Sequence, residues 1–396
     1  MKNKNKNNWR QPLLFVGLPL FILGLIIYLS IFIYHLYQRP DNQTFEPAKI
    51  INVSEPFSAN FYFNDKLGSN DFADLIVKNI DNAKKSISLA MYSMDSTEIK
   101  DALLRASSRG VNVNLIFSNK HQAGELSLFQ GKGDNINISF VGINNDGYMH
   151  HKFLIIDRGE ATQKLFFSSY NFTDIQGKFD PSFIMETSRP EIVSVFGDEF
   201  DRLSSNEKWL AKKAKNYNPF AALINYPEGY LEIWFTPEYG NNNIKERMLS
   251  LIKNASSNIK IMAWYITDKD IASALTIKSK EKPVTIVTDD YNWSTTGSVF
   301  PIIAAQKERQ NLNNLELVKD TKRNAQVSAI LKNNDDLNSF LHHHLLIVDD
   351  KIALFGTNNW SSSGFFNNDE SVMVSNISSV VSAFKQSYLF NYNTNR

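Results

Sequence analysis

Met149-His150-His151-Lys152-Phe153-Leu154-Ile155-Ile156-Asp157 and Leu341-His342-His343-His344-Leu345-Leu346-Ile347-Val348-Asp349 are two copies of one phrase in a chain of 396 residues. Each holds a histidine, a basic or basic-capable residue two places on, an apolar run, and an aspartate seven places after the first histidine. Five of the seven histidines fall in these two clusters, a distribution that calls for a chemical reason. The runs Phe153–Ile156 and Leu345–Val348 read as buried strands, on which alternate side chains share a face. His150 and Lys152 therefore point one way, as do His342 and His344. Asp157 and Asp349 lie an odd number of residues further on, face the other side, and are expected to brace the strand ends. Ser168-Ser169-Tyr170-Asn171-Phe172-Thr173 follows the first copy and Gly356-Thr357-Asn358-Asn359-Trp360-Ser361 the second. Hydroxyls and an amide after a strand suit a turn that offers donors to an oxyanion.

A second duplication lies upstream. Ala83 aligns with Ala255, Ile87 with Ile259, Leu89 with Ile261, Tyr92 with Trp264, Ile99 with Ile271 and Leu103 with Leu275, all at one constant offset. Each unit opens with a helix-period segment, Phe72-Leu75-Ile76-Ile80 or Ile244-Met248-Ile252. A strand follows, Ser86–Met91 or Asn258–Ala263. Next comes a second helix, Thr97–Ser107 or Asp268–Lys278, with Ser96 or Thr267 placed as cap. A further strand closes the unit, Val111–Phe117 or Val284–Thr288. Strands alternating with helices predict an α/β layer architecture, and a twofold relation between the halves would bring the two histidine phrases face to face.

At the histidine phrases and the segments after them, the chain resembles the phospholipase D superfamily. Its pattern is His-x-Lys-x4-Asp followed by Gly/Ser-Ser/Thr-x-Asn, in two copies, and the resemblance runs from about Phe57 to Asn391. The first copy matches in His150, Lys152 and Asp157, whereas the second carries His344 where the family has lysine. The resemblance implies two similar α/β lobes, mixed β-sheets flanked by helices and related by a pseudo-twofold. It also implies a phosphodiesterase that needs neither metal nor cofactor: one imidazole attacks phosphorus to give a phosphohistidine and the other protonates the leaving oxygen. His150 is placed as nucleophile and His342 as general acid and base, with the reverse order left open. Lys152, Asn171 and Asn359 would hold the phosphate oxygens, supported by Ser169 and Thr357. Glu370 falls where the family supplies an acidic partner for an active-site histidine. Ser182 or Pro181 stands at the equivalent place in the first half, so that partner is missing there. Unperturbed histidine titrates near pH ~6.5, so His344 predicts a phosphate cradle that strengthens in mild acid.

Residues 1–12 carry Lys2, Lys4, Lys6 and Arg10 with no acidic residue, and Leu13 to Tyr34 runs without a charge. That length spans a bilayer, and no alanine that could mark a signal-peptide cut occurs before Ala48. The stretch 13–37 therefore reads as a single uncleaved anchor, with the basic leader cytoplasmic and the remainder extracytoplasmic. Residues 38–58, with Pro40, Pro47 and Pro56, read as a linker, 59–205 as the first lobe, 206–238 as a crossover linker and 239–396 as the second lobe. The longer stretch Asn292–Phe340 reads as an insertion near the second phrase that could form a lid.

Without the four leader cations, the 42 Lys plus Arg become 38 against 41 Asp plus Glu. So neutral a domain has no bulk basic footprint for duplex DNA. The absence of cysteine removes thiolate chemistry and disulfide scaffolds. The three adjacent histidines fail as a metal set because His343 points away from its neighbours on a strand. Trp264, Tyr265 and Trp360 are expected in the core or the cleft wall, and His121 in a surface loop. An anchor that holds the cleft beside a bilayer favours a phospholipid as substrate. The competing readings are a single-strand nuclease, since Gly356–Ser361 resembles the corresponding segment of membrane-anchored exonucleases of the family, and a catalytically degenerate scaffold or binding protein. No obligate protein partner is implied.

Overall fold

Both histidine phrases lead into inner strands of two sheets. In chain order the strands are β1 (Ile50–Asn52), β2 (Asn60–Phe63), β3 (Ser86–Met91), β4 (Asn112–Ser118), β5 (Ile136–Ile143), β6 (Gly147–Tyr148), β7 (Lys152–Ile156), β8 (Lys164–Ser168), β9 (Phe183–Thr187), β10 (Phe220–Tyr226), β11 (Gly229–Phe235), β12 (Ile259–Ala263), β13 (Val284–Thr288), β14 (Leu315–Lys319), β15 (His344–Val348), β16 (Ile352–Gly356) and β17 (Ser371–Ser375). The computed structural model describes residues 44–65, 68, 71–131, 133–143, 147–205, 218–237, 243–294, 297–322, 326 and 340–396. The expected anchor at 13–37 and most of the expected lid lie outside the described residues. Among those that are described, no helix is long and apolar enough to cross a membrane.

The first sheet runs β2-β9-β8-β7-β3-β4-β5-β6 and the second β1-β10-β11-β17-β16-β15-β12-β13-β14. From β2 to β5 and from β11 to β14 the order is the same, so the repeat in sequence is a repeat in topology. Parallel pairs β3–β4 and β12–β13 come from strand–helix–strand crossovers, whereas β7–β8 and β15–β16 are antiparallel hairpins.

The apolar runs are continuous because these strands are covered on both faces. Phe153 and Ile155 of β7 meet Leu345 and Ile347 of β15 in one core shared by the two sheets, with Phe167, Phe183, Phe355 and Phe384. The intervening Leu154 and Ile156 pack outward under the helices Asp71–Asn82 and Thr97–Ser108. Leu346 and Val348 do the same under Ile244–Lys253 and Lys269–Lys278. The helix starts are fixed locally: the Asn243 side chain accepts from the Glu246 N–H, and Asp268 accepts from both Asp270 and Ile271. Asp268 rather than Thr267 is therefore the cap, and Ser96 makes no side-chain cap hydrogen bond.

Two stretches read as linkers hold strands. Within 38–58, β1 pairs in parallel with β10. Within 206–238, β10 and β11 form a hairpin in which Tyr226 pairs with Gly229 across Pro227-Glu228. The second sheet thus begins well before residue 239. The insertion is also smaller than expected, because the helix Phe300–Gln310 and β14 repeat the helix Gln122–Leu128 and β5.

Candidate active site

The far ends of β7 and β15 are pinned by their aspartates. Asp157 and Asp349 adopt left-handed backbone, φ 52 and 58, which turns their carboxylates onto the start of β3 and β12. Asp157 accepts from the backbone N–H groups of Lys84, Lys85 and Ser86 at 3.0, 2.7 and 3.2 Å. Asp349 accepts from those of Ser256, Ser257 and Asn258 at 2.9, 2.6 and 3.1 Å. Neither aspartate lines the cavity where the near ends of the strands meet.

That cavity, of about 600 Å³, is lined by His150, Asn171, His342 and Asn359, with Tyr92, Tyr148, Trp264 and Tyr265 among its walls. Residues some 190 positions apart thus share one pocket. Trp360, by contrast, is fully buried. Lys152, His344 and Glu370 lie behind the pocket wall, each with 1% or less of its surface exposed.

His150 Nδ1 sits 2.7 Å from Glu370 Oε2, across the two sheets. The Glu370 carboxylate also accepts from Thr357 Oγ1 at 2.7 Å and Asn368 Nδ2 at 2.9 Å. With Glu370 ionised, the network puts the His150 proton on Nδ1 and its lone pair on Nε2. Lys152 Nζ stands 3.2 Å from that atom and 3.0 Å from the His150 carbonyl. His342 Nδ1 donates instead to the backbone carbonyl of Ser169 at 2.8 Å. Its ring lies 5.6 Å from that of His344 and stacks with Trp264, while Tyr92 meets the His150 ring edge-on at 4.4 Å.

Ser182 occupies the place in the first lobe that Glu370 holds in the second. Its carbonyl accepts from Asn64 N–H just as that of Glu370 accepts from Thr236 N–H, each at 3.1 Å. With no carboxylate there, the second histidine leans on a peptide group. Ser169 and Thr357 act through these partners rather than on the cavity: Ser169 supplies the carbonyl, and Thr357 anchors Glu370. Asn171 and Asn359 keep an unpartnered amide oxygen each.

Burial dominates the electrostatics. It holds His150 well below its ordinary range, helped by the charge of Lys152, and takes His342 down to about 3, with Lys152 and His150 adding to the effect. It brings Lys152 down to about 7 against the attraction of Glu370, and pushes Glu370 up to about 8 against the pull of Lys152, Asn368 and Thr357. His344 is also held far below its usual value, first by burial and then by His342, His150 and Lys152. In the empty cavity His344 is therefore neutral in mild acid, where an ordinary histidine would be gaining charge.

Sequence reasoning missed a network just behind the pocket. His151 faces the shared core, with Nδ1 2.6 Å from Ser371 Oγ and Nε2 3.1 Å from Glu199 Oε1. Arg202 donates to Glu199 Oε2 at 2.7 Å and to Asp369 Oδ1 at 3.3 Å. Asp369 in turn accepts the His150 N–H at 2.8 Å through its backbone carbonyl. His151, Glu199 and Asp369 bring ligand atoms within 4.8 Å of one another, but Arg202 already meets both carboxylates, so the donor set fits an ion-pair network better than a cation. His343 packs on the other side, stacked on Phe63 and Phe183.

A family model described as "Cardiolipin synthase, PLD-like domain" matches residues 76–204 and 248–389. The phospholipase D of Rickettsia conorii is 29% identical over 144 residues, covering 36% of this chain and 64% of its own length. That of Rickettsia typhi is 26% identical over 226 residues, covering 54% of this chain and 98% of its own. The chain thus spans less than two thirds of the first of these relatives. Phosphatidylserine synthase of Haemophilus influenzae has the same fold over 90% of each chain, with a TM-score of 0.63 at 14% identity.

Proposed function

Because the chain belongs to the phospholipase D superfamily, we propose that it is a phosphodiesterase that hydrolyses phospholipid headgroups through a phosphohistidine, without a metal. The observation that carries this reading is that His150 and His342 line one cavity with each Nδ1 engaged by the protein, which leaves each Nε2 for chemistry once Lys152 Nζ, 3.2 Å from that of His150, gives way.

His150 Nε2 attacks phosphorus, a P–N bond forms, and the P–O bond to the leaving group breaks as that oxygen takes a proton from His342. A water then gives its proton to His342 and its oxygen to phosphorus, and the P–N bond breaks. Phosphorylation makes the His150 ring cationic, which favours the ionised form of Glu370 despite its burial, and that carboxylate stabilises the ring. His342, held by a carbonyl at Nδ1, has no carboxylate there to retain its proton. It is neutral in the empty cavity, and an anionic diester beside it raises its proton affinity, since an opposite charge favours the protonated form. Asn171 and Asn359 face the non-bridging oxygens, and Lys152, behind the wall against His150, adds its charge. In this reading the lobes are related by a pseudo-twofold, and 13–37 anchors the enzyme on the extracytoplasmic face. The lipid preference draws on that anchor and on a cavity lining with no Lys or Arg among the described residues. A polynucleotide needs cations along its backbone.

The test uses the full chain in detergent with phosphatidylcholine, cardiolipin and 5′-labelled single-stranded DNA, beside His150→Ala. Headgroup release that disappears in the variant and survives chelation of metals is the expected result. DNA cleavage with lipids untouched would replace it by the nuclease reading, for which the aromatic walls offer stacking surfaces. No His150-dependent turnover would leave a binding protein.

A further inference from the structure

One cation beside the cavity has no part in the scheme above. β4 ends in a tight turn, Asn119–His121, fixed by the Ser118 side chain and by Asn119 Nδ2 donating to the Gly142 carbonyl at 2.6 Å. Gly142 is required there: at φ +138, an added Cβ would stand 2.4 Å from Asn119 Oδ1. The turn sets Lys120 Nζ 4.7 Å above the ring of Tyr148 and 5.9 Å from that of Tyr92. Both tyrosines line the cavity, and Tyr92 lies against His150. The ammonium rests over the Tyr148 ring and hydrogen-bonds the Tyr92 side chain, which still leaves N–H donors for a ligand. Among the described residues no carboxylate pairs with it.

The equivalent turn of the second lobe, Asp290–Trp293, is of the opposite kind. Asp290 is paired with Lys319 at 3.4 Å, and Tyr291 packs with Phe340, which lies against Trp264. The rim is therefore cationic on one side and neutral and aromatic on the other. The centre, with His344 neutral, is one positive charge short of two lysines.

We propose that Lys120 is an anion subsite for a second negative group on the substrate, a carboxylate or phosphate near the scissile diester, so that the preferred lipids are those whose headgroup bears its own negative charge. This deepens the phosphodiesterase reading and rests on it. The scissile phosphate sits at His150 and His342, in the field of Lys152 behind the wall, and the second anion meets Lys120 at the rim.

The experiment compares wild type, Lys120→Gln and Lys120→Arg, as full chains in neutral-detergent mixed micelles at one low mole fraction of lipid. The probes are phosphatidylserine and cardiolipin, which bring a second anion, and phosphatidylglycerol, which does not. A 5′-labelled oligonucleotide forms a separate arm. The expected result is that kcat/KM for the first two over phosphatidylglycerol exceeds one in wild type, falls about five-fold in Lys120→Gln, the size of a rim ion pair, and is kept in Lys120→Arg. An unchanged ratio, or an equal fall on all three lipids, overturns the subsite. A fall confined to the oligonucleotide shows that the second anion belongs to a polynucleotide and overturns the lipid assignment. Absence of His150-dependent turnover of bis(p-nitrophenyl) phosphate would instead remove the phosphodiesterase reading itself.

Discussion

Replacing His344 by glutamine tests the electrostatics of the site through folding rather than turnover. His344 is 1% exposed, and neither ring nitrogen has a hydrogen-bond partner. Its folded-state pKa lies well below 6.5 because of burial, His342, His150 and Lys152. The unfolded chain, in which the ring titrates near ~6.5, takes up a proton that the native state refuses. Stability from this residue is thus fully present above pH ~6.5 and is lost as pH falls, at about 1.4 kcal/mol per unit. Between pH ~6.5 and ~5, His344 alone should remove about 2 kcal/mol from the wild type. Glutamine does not titrate, and the other shifted groups, His150, His342, Lys152 and Glu370, are common to both chains. The difference between two stability curves from urea unfolding at a series of pH values therefore isolates this proton. The variant is expected to be the less stable protein at neutral pH, with an unpartnered amide in a buried place, and to close the gap steadily on acidification. Curves that stay parallel from about pH 7 to about pH 5 would mean that native His344 accepts the proton, and the account of the site's charge would be wrong.

Two further outcomes follow from the same contacts. Glu370→Gln keeps the shape of the His150 partner but removes its charge, so kcat should fall by about 10²-fold or more with KM little changed, measured by steady-state kinetics; a KM effect alone would make Glu370 part of substrate binding. Asp157→Ala strips the acceptor from three backbone N–H groups and should cost about 2–4 kcal/mol in denaturant unfolding, while kcat measured well below the melting temperature stays within about two-fold of wild type.

Parity along a strand was enough to place His150 with Lys152 and His342 with His344, because a two-residue repeat survives any tertiary arrangement. The duplicated helices and strands were legible for a similar reason, each half repeating the same apolar spacing. The hairpin Phe220–Phe235 was also written in the chain, since Phe220, Ala222, Ile224 and Tyr226 are buried in alternation on β10. It was obscured by Pro227 and Gly229, which read as linker when they make a turn. What could not be read was whatever depends on distant backbone. The acceptor of His342 is a peptide carbonyl, which has no side-chain signature. The pairing of His151 with Glu199 needs the helix Pro190–Ser204 laid across β3, β7 and β8. The charge of His344 is set by packing, and a free-histidine value misjudges it.

Glu370 reaches His150 from one half, and the Ser169 carbonyl reaches His342 from the other. Each duplicate therefore completes its sibling's imidazole rather than its own. A fragment carrying either half would own a histidine without its orienting acceptor, and should be inert however well it folded.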